Sequence, residues 1–217
     1  MHISDLHCDP TKRLEDRLSA VAADLKPDLI VFTGDAVNSP SGLDNFHDCM
    51  KKLVAVAPVL AVRGNWEGFN NLDYFASAGV EELNGVAKPF KVGDNEIWIA
   101  GFAPYNSAVL PTLVKSVPPE KFLLLLHHYA REIHVASDLG VDLYLAGHTH
   151  GGQVALPFYG AIVTLAKYGK RFESGLYKQG NTHLYVSRGI GMEGGSAPRI
   201  RFFARPEVTM IEIVPEN

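Results

Sequence analysis

The chain has 217 residues, of which 47% are hydrophobic and 20% are charged, which predicts a folded globular protein and excludes an extended disordered one. The formal net charge of −4 provides no broad basic surface, so we expect no binding to a nucleic-acid polymer. The longest apolar run, FLLLLHHYA, is interrupted at His127 and is too short to cross a bilayer. No signal peptide is recognisable, and Cys8 and Cys49 are typical of a reducing compartment. We therefore expect a cytoplasmic protein, with peripheral contact at a membrane left open.

Segments of helical period alternate with apolar runs over the first two thirds of the chain. The opening MHISDLH leaves room for only a short first strand, so an upstream segment or anchor stays open as an alternative. Apolar residues recur at helical spacing from Leu14 to Leu25, and Pro27 ends that predicted helix. The other predicted helices cover residues 43–56, 68–79, 108–116 and 131–139, and the predicted strands are DLIVFTGD, PVLAVRGN, KFLLLLHH and VDLYLAGH.

Two regions predict antiparallel pairing. The stretch PFKVGDNEIWIAGFA carries Gly-Asp and Asp-Asn between apolar runs, which is typical of a hairpin. In the last third, QVALPFYGAIVTLAKYG, SGLYKQGNTHLYVSRG and PEVTMIEIV predict strands and long loops without helices. Because there is no internal repeat and no linker, we expect one α/β domain over residues 1–217, with helices covering its sheets.

Five apolar strands end in residues that bind metals. The segments are ISDLH, FTGD, VRGN, LLLLHH and LAGHTH, and three of these ligands follow the turn-forming glycines at positions 34, 64 and 147. In open α/β sheets the carboxyl ends of strands converge at one edge, where sites are built. The candidate ligands are Asp5, His7, Asp35, Asn65, His127, His148 and His150. Imidazole, carboxylate and carboxamide donors suit Mn, Fe, Zn or Co, and seven donors predict two divalent ions that share a carboxylate, about 3.5–4 Å apart.

These motifs resemble those of the calcineurin-like metallophosphoesterases, in the order Asp-x-His, Gly-Asp, Gly-Asn-His-Asp/Glu, His and Gly-His-x-His. The later HTHGGQ, SRGIG and RFFARPEV resemble a bacterial branch of small membrane-associated phosphoesterases. That branch is similar to one type of UDP-diacylglucosamine pyrophosphatase. The resemblance implies a four-layer α-β-β-α sandwich, in which two mixed sheets are flanked by helices.

The resemblance also implies a ligand assignment. One metal would be held by Asp5, His7 and His150, and the other by Asn65, His127 and His148. Asp35 would bridge the two ions. The catalytic residues would then be Asp35, Asn65 and His127, and we add His128 as a candidate that could touch substrate.

One position departs from the family pattern. The chain has GNWE where the family has Gly-Asn-His-Asp/Glu, so Trp66 replaces the histidine that is credited with protonating the leaving group, while Glu67 remains. Indole donates only one N–H and cannot transfer a proton near neutral pH. A missing general acid costs about 10²–10⁴ in rate, mainly on poor leaving groups. We therefore predict a preference for phosphoanhydride or aryl phosphate bonds over alkyl phosphomonoesters.

Several residues have two alternative interpretations. His128 is interpreted first as a wall residue, because neighbours on a strand point to opposite sides, and second as a substitute acid. Trp66 either packs against the site or stacks on a base or sugar. Arg188 either binds phosphate or forms a structural ion pair. Gln153 is a candidate for substrate binding or for a supporting hydrogen bond to a ligand. Cys8 is interpreted as a buried filler rather than a ligand.

The remaining polar residues are assigned to surface or packing. This group contains His2, His47, His134 and His183. A small basic and aromatic loop contains Lys167, Tyr168, Lys170 and Arg171; it is either a solvated loop or a contact for phosphate headgroups.

The sequence therefore predicts a dinuclear metal-dependent phosphohydrolase in which a hydroxide between the metals attacks phosphorus in line. The expected partner is a small-molecule or lipid-linked phosphate, and the bond is a phosphodiester or phosphoanhydride. The alternatives are a cyclic-nucleotide or other phosphodiesterase, and a metal-binding scaffold whose chemistry is weakened by Trp66.

Overall fold

The computed structural model describes residues 1–68, 72–194 and 199–214, and it contains two main β-sheets. The first sheet is parallel throughout, and its strands lie in chain order. These strands are β1 (His2–Ile3), β2 (Ile30–Phe32), β3 (Val59–Ala61) and β4 (Glu81–Glu82).

The second sheet has six strands in the order β11-β12-β8-β7-β6-β5. The later strands of the chain are β5 (Val86–Val92), β6 (Asn95–Gly101), β7 (Leu123–Leu126), β8 (Leu143–Ala146), β9 (Ala155–Leu156), β10 (Gly160–Ala161), β11 (Gly175–Gln179) and β12 (Thr182–Val186). The inner pairs are parallel, whereas β5–β6 and β11–β12 are antiparallel, so the sheet is mixed. Strands β9 and β10 form a separate hairpin. The hairpin predicted from PFKVGDNEIWIAGFA is confirmed as β5–β6.

In the part of the chain that the structure describes, four helices flank the sheets. They are α1 (Leu18–Leu25), α2 (Leu43–Val54), α3 (Leu110–Lys115) and α4 (Ile133–Asp138), and each follows a short 3-10 turn. All four lie within predicted helical segments. Within the described parts of the chain, no helix is long and apolar enough to cross a membrane.

The helix predicted over residues 68–79 is wrong for the described part of that segment. Residues 69–71 lie outside the described residues, and beyond them only a 3-10 turn at Ala76–Ala78 forms. The carboxylate of Asp73 accepts hydrogen bonds from the backbone N–H groups that start the turn. Gly79 ends the turn in the left-handed conformation, with φ 77°. A cap at one end and a glycine at the other leave space for a single turn.

Three apolar cores separate four layers. Ile30 and Phe32 of β2 pack toward α1 and α2, whereas Val31, between them, packs toward the second sheet. The second sheet alternates in the same way, with Leu124 facing the first sheet and Leu125 facing α3 and α4. Because successive strand residues point to opposite faces, each sheet is buried on both sides. The predicted α-β-β-α sandwich is confirmed, but in the described residues only the second sheet is mixed, whereas the first is parallel. Its extent as one domain over residues 1–217 stays a prediction.

The last third of the chain is less regular than expected. β12 pairs with β8 in parallel, so the pairing is not antiparallel throughout. PEVTMIEIV forms no strand in its described residues; Thr209 makes a single antiparallel bridge to His2. The parallel pairing places the carboxyl ends of β12, β8 and β7 at one edge of the sheet. This edge lies beside the carboxyl ends of β1 and β2, as the hydrogen bond from Ile190 N to Ser4 O (3.1 Å) shows.

Candidate metal centre

Two groups of potential metal ligands meet at this shared edge, and Asp35 belongs to both. In each group the donor atoms lie within 4.8 Å of one another. The first group is Asp5, His7, Asp35 and His150, and the second is Asp35, His128 and His148. Nε2 of His7 lies 3.5 Å from Oδ2 of Asp35, and Nε2 of His128 lies 3.2 Å from the same oxygen.

Further short distances complete each group. Nε2 of His150 lies 3.1 Å from Nε2 of His7 and 3.3 Å from Oδ1 of Asp5. Oδ1 of Asn65 lies 3.1 Å from Nε2 of His128, so the carboxamide joins the second group. Six of the seven predicted ligands are therefore brought together, and the exception is His127.

Backbone hydrogen bonds between loops hold these side chains in place. Asp5 N donates to Gly34 O (2.9 Å), and this bond joins the loops after β1 and β2. His7 N donates to Asp35 O (3.0 Å) in the same pair of loops. His148 N, which follows β8 in the other sheet, donates to both carboxylate oxygens of Asp5 (3.1 and 3.2 Å). The site is therefore assembled by the packing of one sheet on the other.

The backbone is strained at the ligands. Five of them adopt a positive φ: Asp5 (53°), His7 (42°), Asp35 (61°), His148 (72°) and His150 (52°). A residue with a side chain pays of order 1 kcal/mol or more for a sparsely populated backbone conformation, and it stays there only when its surroundings hold it. Such residues concentrate at functional sites. The positive φ values of these five residues therefore indicate a backbone that brings the ligand side chains together at a cost in stability.

Two glycines permit the close approach of these loops. Gly34 has φ 97°, in the region that favours glycine, directly before Asp35. At Gly147 a Cβ atom would collide with the side chains of Ser4 and Asp5. The expected turn-forming role is met at Gly34, whereas Gly147 has no positive φ and is required for close packing against Ser4 and Asp5.

The structure reverses the interpretation of the adjacent histidines. His127 points away from the two groups: its ring stacks on Phe102 with centroids 4.2 Å apart, and Nδ1 lies 3.0 Å from Tyr144 Oη. His128, expected to be a wall residue, takes the position at Asp35 and Asn65, and its Nδ1 lies 2.6 Å from Thr33 O. The expected place of His127 in the second group is therefore wrong in this structure, and His128 lies there instead.

Burial and charge set the protonation of the cluster. Burial lowers the pKa of His7 to about 4 and that of His148 to about 4, so both imidazoles are neutral near pH 7. Burial raises the pKa of Asp5 to about 7. Burial alone would lower the pKa of His128, but the Asp35 and Asp5 carboxylates raise it to about 10. The Asp35 and Asp5 carboxylates thus keep His128 protonated.

This pattern fits a site for divalent cations. Neutral imidazoles present lone pairs, and His128 and His7 keep the pKa of Asp35 well below its usual range although burial opposes this. The proton on His128 supplies positive charge beside Asp35, where a cation could supply it instead. No cysteine belongs to either group among the described residues, and Cys8 is buried in the first apolar core, as its interpretation as a filler expects. The donor set is that of a borderline metal such as Mn, Fe, Zn or Co.

Trp66 lies beside the first group. Its indole ring meets the ring of His7 edge to face, with centroids 5.3 Å apart, and its backbone N donates to Oδ1 of Asp35 (2.9 Å). The Trp66 side chain also hydrogen-bonds to Glu193 and helps to oppose the rise that burial causes in the pKa of that carboxyl. Trp66 is half-buried, so both packing and stacking on a ligand stay open.

Glu67 does not orient the side chain at position 66. It is fully buried, and its carboxylate accepts hydrogen bonds from the backbone N–H groups of Asp35 (3.0 Å), Ala36 (2.5 Å) and Gly64. These amides belong to the loops that carry Asp35 and Asn65. Burial and the Asp35 charge raise the pKa of Glu67 to about 7, and the amide hydrogen bonds oppose this rise. Glu67 therefore joins two ligand loops.

Other predicted residues lie outside the two groups. Arg188 pairs with Glu207, to which Nε donates at 2.7 Å, so the contacts support the ion-pair alternative. Oε1 of Gln153 accepts from Glu193 N (2.6 Å), and this contact holds a neighbouring loop. His2, His47, His134 and His183 make packing or surface contacts, in agreement with their assignment.

Arg201, the first residue of RFFARPEV, lies at the site although no role was predicted for it. Its Nη2 lies 3.1 Å from Nδ1 of His150, and its Nε donates to Gly191 O (2.8 Å). Burial lowers the pKa of Arg201 to about 10, so the guanidinium still carries its charge near pH 7. Arg201 lies outside any helix or strand, and no periodic pattern indicates its place.

A cavity of about 280 Å³ opens beside the second group. Asn65 and His148 form its inner wall. Its outer wall is aromatic and cationic, and it includes Tyr129, Arg131, Leu165, Lys167, Tyr168 and Phe172. The guanidinium of Arg131 lies over the Tyr129 ring, 4.7 Å from its centroid. Of this wall, the sequence indicated only Lys167 and Tyr168, as part of the basic loop. The rest was not predicted, because the wall residues come from two distant segments.

Comparisons with known proteins show the family of the chain. The sequence profile of the calcineurin-like phosphoesterases matches residues 1–152. The chain is 32% identical to the uncharacterized metallophosphoesterase YkuE of Bacillus subtilis, over 100% of this chain and 79% of the relative. It is also 32% identical to the phosphodiesterase YaeI of Escherichia coli, over 99% of this chain and 81% of the relative. Among solved structures, TT1561 of Thermus thermophilus has the same fold, with a TM-score of 0.57, 10% identity, and coverage of 85% of this chain and 87% of the other.

Proposed function

The chain belongs to the calcineurin-like phosphoesterases and is a metal-dependent phosphoesterase, and on this premise we propose that it hydrolyses a phosphodiester or phosphoanhydride with two divalent cations. The observation that carries the proposal is that Asp35 belongs to both ligand groups. One cation would be held by Asp5, His7, Asp35 and His150. The other would be held by Asp35, Asn65, His128 and His148. When bound, such cations neutralise phosphoryl oxygens and lower the pKa of water.

The chain's own residues supply the geometry. Glu67 fixes the loops of Asp35 and Asn65 through three backbone amides. Arg201 contacts the ring of His150 on the side away from the ligand group. Because both supports are buried or half-buried, the donors are held before substrate arrives, which is the condition for electrostatic stabilisation of a transition state.

The leaving group would lie in the cavity beside Asn65 and His148. Among the described residues that line it, the histidine is the proposed ligand His148 and no side chain is a carboxylic acid, and burial raises the pKa of Tyr129 far above its usual range. Trp66 cannot transfer a proton near neutral pH. The best substrates are therefore those whose leaving group needs little protonation, namely phosphoanhydrides and aryl phosphodiesters.

The cavity wall also supports a substrate class. Tyr129, Tyr168 and Phe172 offer apolar surface, and Arg131 and Lys167 offer positive charge. This combination suits a nucleotide-linked or lipid-linked phosphate better than a small alkyl phosphate. Cleavage of a UDP-linked lipid at its pyrophosphate is the most specific form of the proposal. A phosphodiester substrate is the second candidate, because the relative YaeI is named a phosphodiesterase.

A substrate panel tests the proposal. Metal-loaded protein is given bis(p-nitrophenyl) phosphate, a UDP-sugar and glycerol phosphate in parallel, with Mn, Zn or Co. Turnover of the first two above the third supports it. Asp35→Asn, which alters both groups, controls for contaminating enzymes. Fully loaded protein that turns over none of the three would instead support the metal-binding scaffold.

A further inference from the structure

A group of exposed apolar side chains, here called the apolar tip, lies on and beside the β9–β10 hairpin. It consists of Phe158, Tyr159, Ile162, Leu165, Phe202 and Phe203. Phe158 is fully exposed between the two strands, Leu165 is 76% exposed and Phe203 is 60% exposed. Large apolar side chains concentrated on one protruding element indicate an interaction surface rather than chance exposure.

Pairing of the backbone makes the tip continuous. Val154, just before β9, bridges to Phe202 and Phe203, and Ala155 N donates to Phe202 O (2.8 Å). Ile162 N donates to Val154 O (3.1 Å) on the other side. The rings of Phe202 and Phe203 meet edge to face, 4.7 Å apart. Two segments that are distant in the chain thus present one surface.

The charge around the tip indicates what covers it. Residues 154–172 carry Lys167, Lys170 and Arg171, and the next residue, Glu173, is half-buried with its carboxylate on the backbone N of Ala161. On the second segment Arg205 is exposed, whereas Arg199 pairs with Asp9 and Arg201 faces His150. The chain as a whole has a net charge of −4, so this separation of positive charge is local. Lys170 lies over the ring of Tyr159, with Nζ 3.3 Å from its centroid.

We propose that the apolar tip and the cations beside it form a docking surface for a membrane that contains anionic phospholipids. Aromatic and aliphatic side chains enter the headgroup region, and neighbouring Lys and Arg side chains contact lipid phosphates. The stacked pair of Tyr159 and Lys170 fits the boundary between the headgroups and water. Each of these side chains has an apolar part and a polar end that stays hydrated.

The docking surface adjoins the catalytic cavity. Leu165 of the apolar tip also lines the cavity. Lys167, one of the cations beside the tip, lines the cavity too. Docking would therefore turn the mouth of the cavity toward the headgroup layer, where a lipid-linked phosphate could enter. The docking itself does not depend on the proposed reaction.

Vesicle co-sedimentation of the full chain tests the inference. Vesicles of phosphatidylcholine with phosphatidylglycerol are compared with vesicles of phosphatidylcholine alone, at low and high salt. We expect binding to the anionic vesicles that weakens with salt. Phe158→Ser with Phe203→Ser is expected to lower the partition coefficient about tenfold or more. Lys167→Gln is expected to lower it about fivefold.

Matched controls lie on the opposite edge of the six-stranded sheet. Val86→Ser and Lys91→Gln on β5 are expected to leave vesicle binding unchanged. Asp35→Asn is expected to bind vesicles like the unmodified protein, which separates docking from turnover. Absence of binding to both vesicle types would overturn the inference. A dimer that Phe158→Ser with Phe203→Ser disrupts, without vesicle binding, would overturn it in favour of a second copy of the chain.

Discussion

Nε2 of His128 lies 3.2 Å from Oδ2 of Asp35, whereas the ring of the adjacent His127 stacks on Phe102 in the core beneath the helices. His127 continues the face of Leu123 and Leu125, which packs toward α3 and α4. His128 lies on the face that packs against the other sheet, where Asp35 is placed. The alternation of a single strand thus decides which histidine lies beside Asp35.

Matched substitutions test this assignment. His128→Gln is expected to lower the metal content by one ion per chain and to slow turnover by at least about 100-fold, because it removes a donor of the second group. His127→Gln is expected to keep the metal and to lower the free energy of unfolding by about 1–3 kcal/mol, since it disturbs buried hydrogen bonds. Metal analysis and denaturant unfolding measure the two effects. Loss of metal in His127→Gln alone would contradict the assignment.

The sequence could not distinguish these histidines. LLLL before His127 is apolar on both faces, since a strand between two layers is buried on both sides. Alternation shows that the histidines point apart, but not which one points toward the first sheet. Only the packing of the sheets, seen in Leu124 facing Val31 across the shared core, provides that direction.

Other parts of the fold and site were predictable because they depend on local signals. The strand ends at Asp5, Asp35 and His148 were recognisable from apolar runs that stop at polar donors. By contrast, Arg201 reaches His150 from an irregular segment, and the parallel partner of β12 is set by the whole sheet. The functions of such residues depend on long-range packing, which no local pattern encodes.

Glu67→Gln is expected to weaken the site without removing a ligand. An amide keeps one acceptor oxygen but turns its NH₂ group toward backbone N–H donors, so at least one buried amide loses its partner. We expect a loss of about 1–3 kcal/mol in the free energy of unfolding and of roughly 10–100-fold in metal affinity, given by the cost of unpaired amides and of lost ligand support. Isothermal calorimetry with Mn measures the second effect.

Glu82→Gln is the control for Glu67→Gln. Glu82 pairs with Arg63 (2.8 Å) at a partly exposed position, so the same chemical change there is expected to cost less than about 1 kcal/mol and to leave metal affinity unchanged. Equal effects of the two substitutions would show that Glu67 contributes only charge.

Trp66→His is expected to extend the range of leaving groups. In the unmodified protein, kcat/KM should fall steeply as the pKa of the leaving group rises. A histidine at position 66 should raise the rate with an alkyl phosphate about tenfold, less than the roughly 10²–10⁴-fold that a well-placed general acid contributes, because Glu67 is bound to backbone amides.

A series of phosphodiesters with graded leaving groups measures this effect, with Trp66→Phe as the control that adds no acid. A flat dependence on leaving-group pKa in the unmodified protein would show that another residue already protonates the leaving group.

Removal of metal is expected to destabilise the fold at the shared edge of the sheets. Without cations, Asp5 and Asp35 are buried side by side, and their charge is offset by the proton on His128 and by the nearby Arg201 guanidinium. Binding at about 100 times Kd adds about 2.7 kcal/mol per site, and for a chain of this size each kcal/mol raises Tm by about 2–4 °C. Thermal unfolding with Mn and with a chelator should therefore differ by at least about 5 °C. Identical curves would show that the site holds no metal.

Anomalous scattering from crystals of the Mn-loaded protein shows directly whether two cations share Asp35. Two anomalous peaks are expected about 3.5–4 Å apart, one among Asp5, His7 and His150 and the other among Asn65, His128 and His148, with Asp35 between them. A single peak, or peaks that leave Asp35 without a metal, would contradict this expectation.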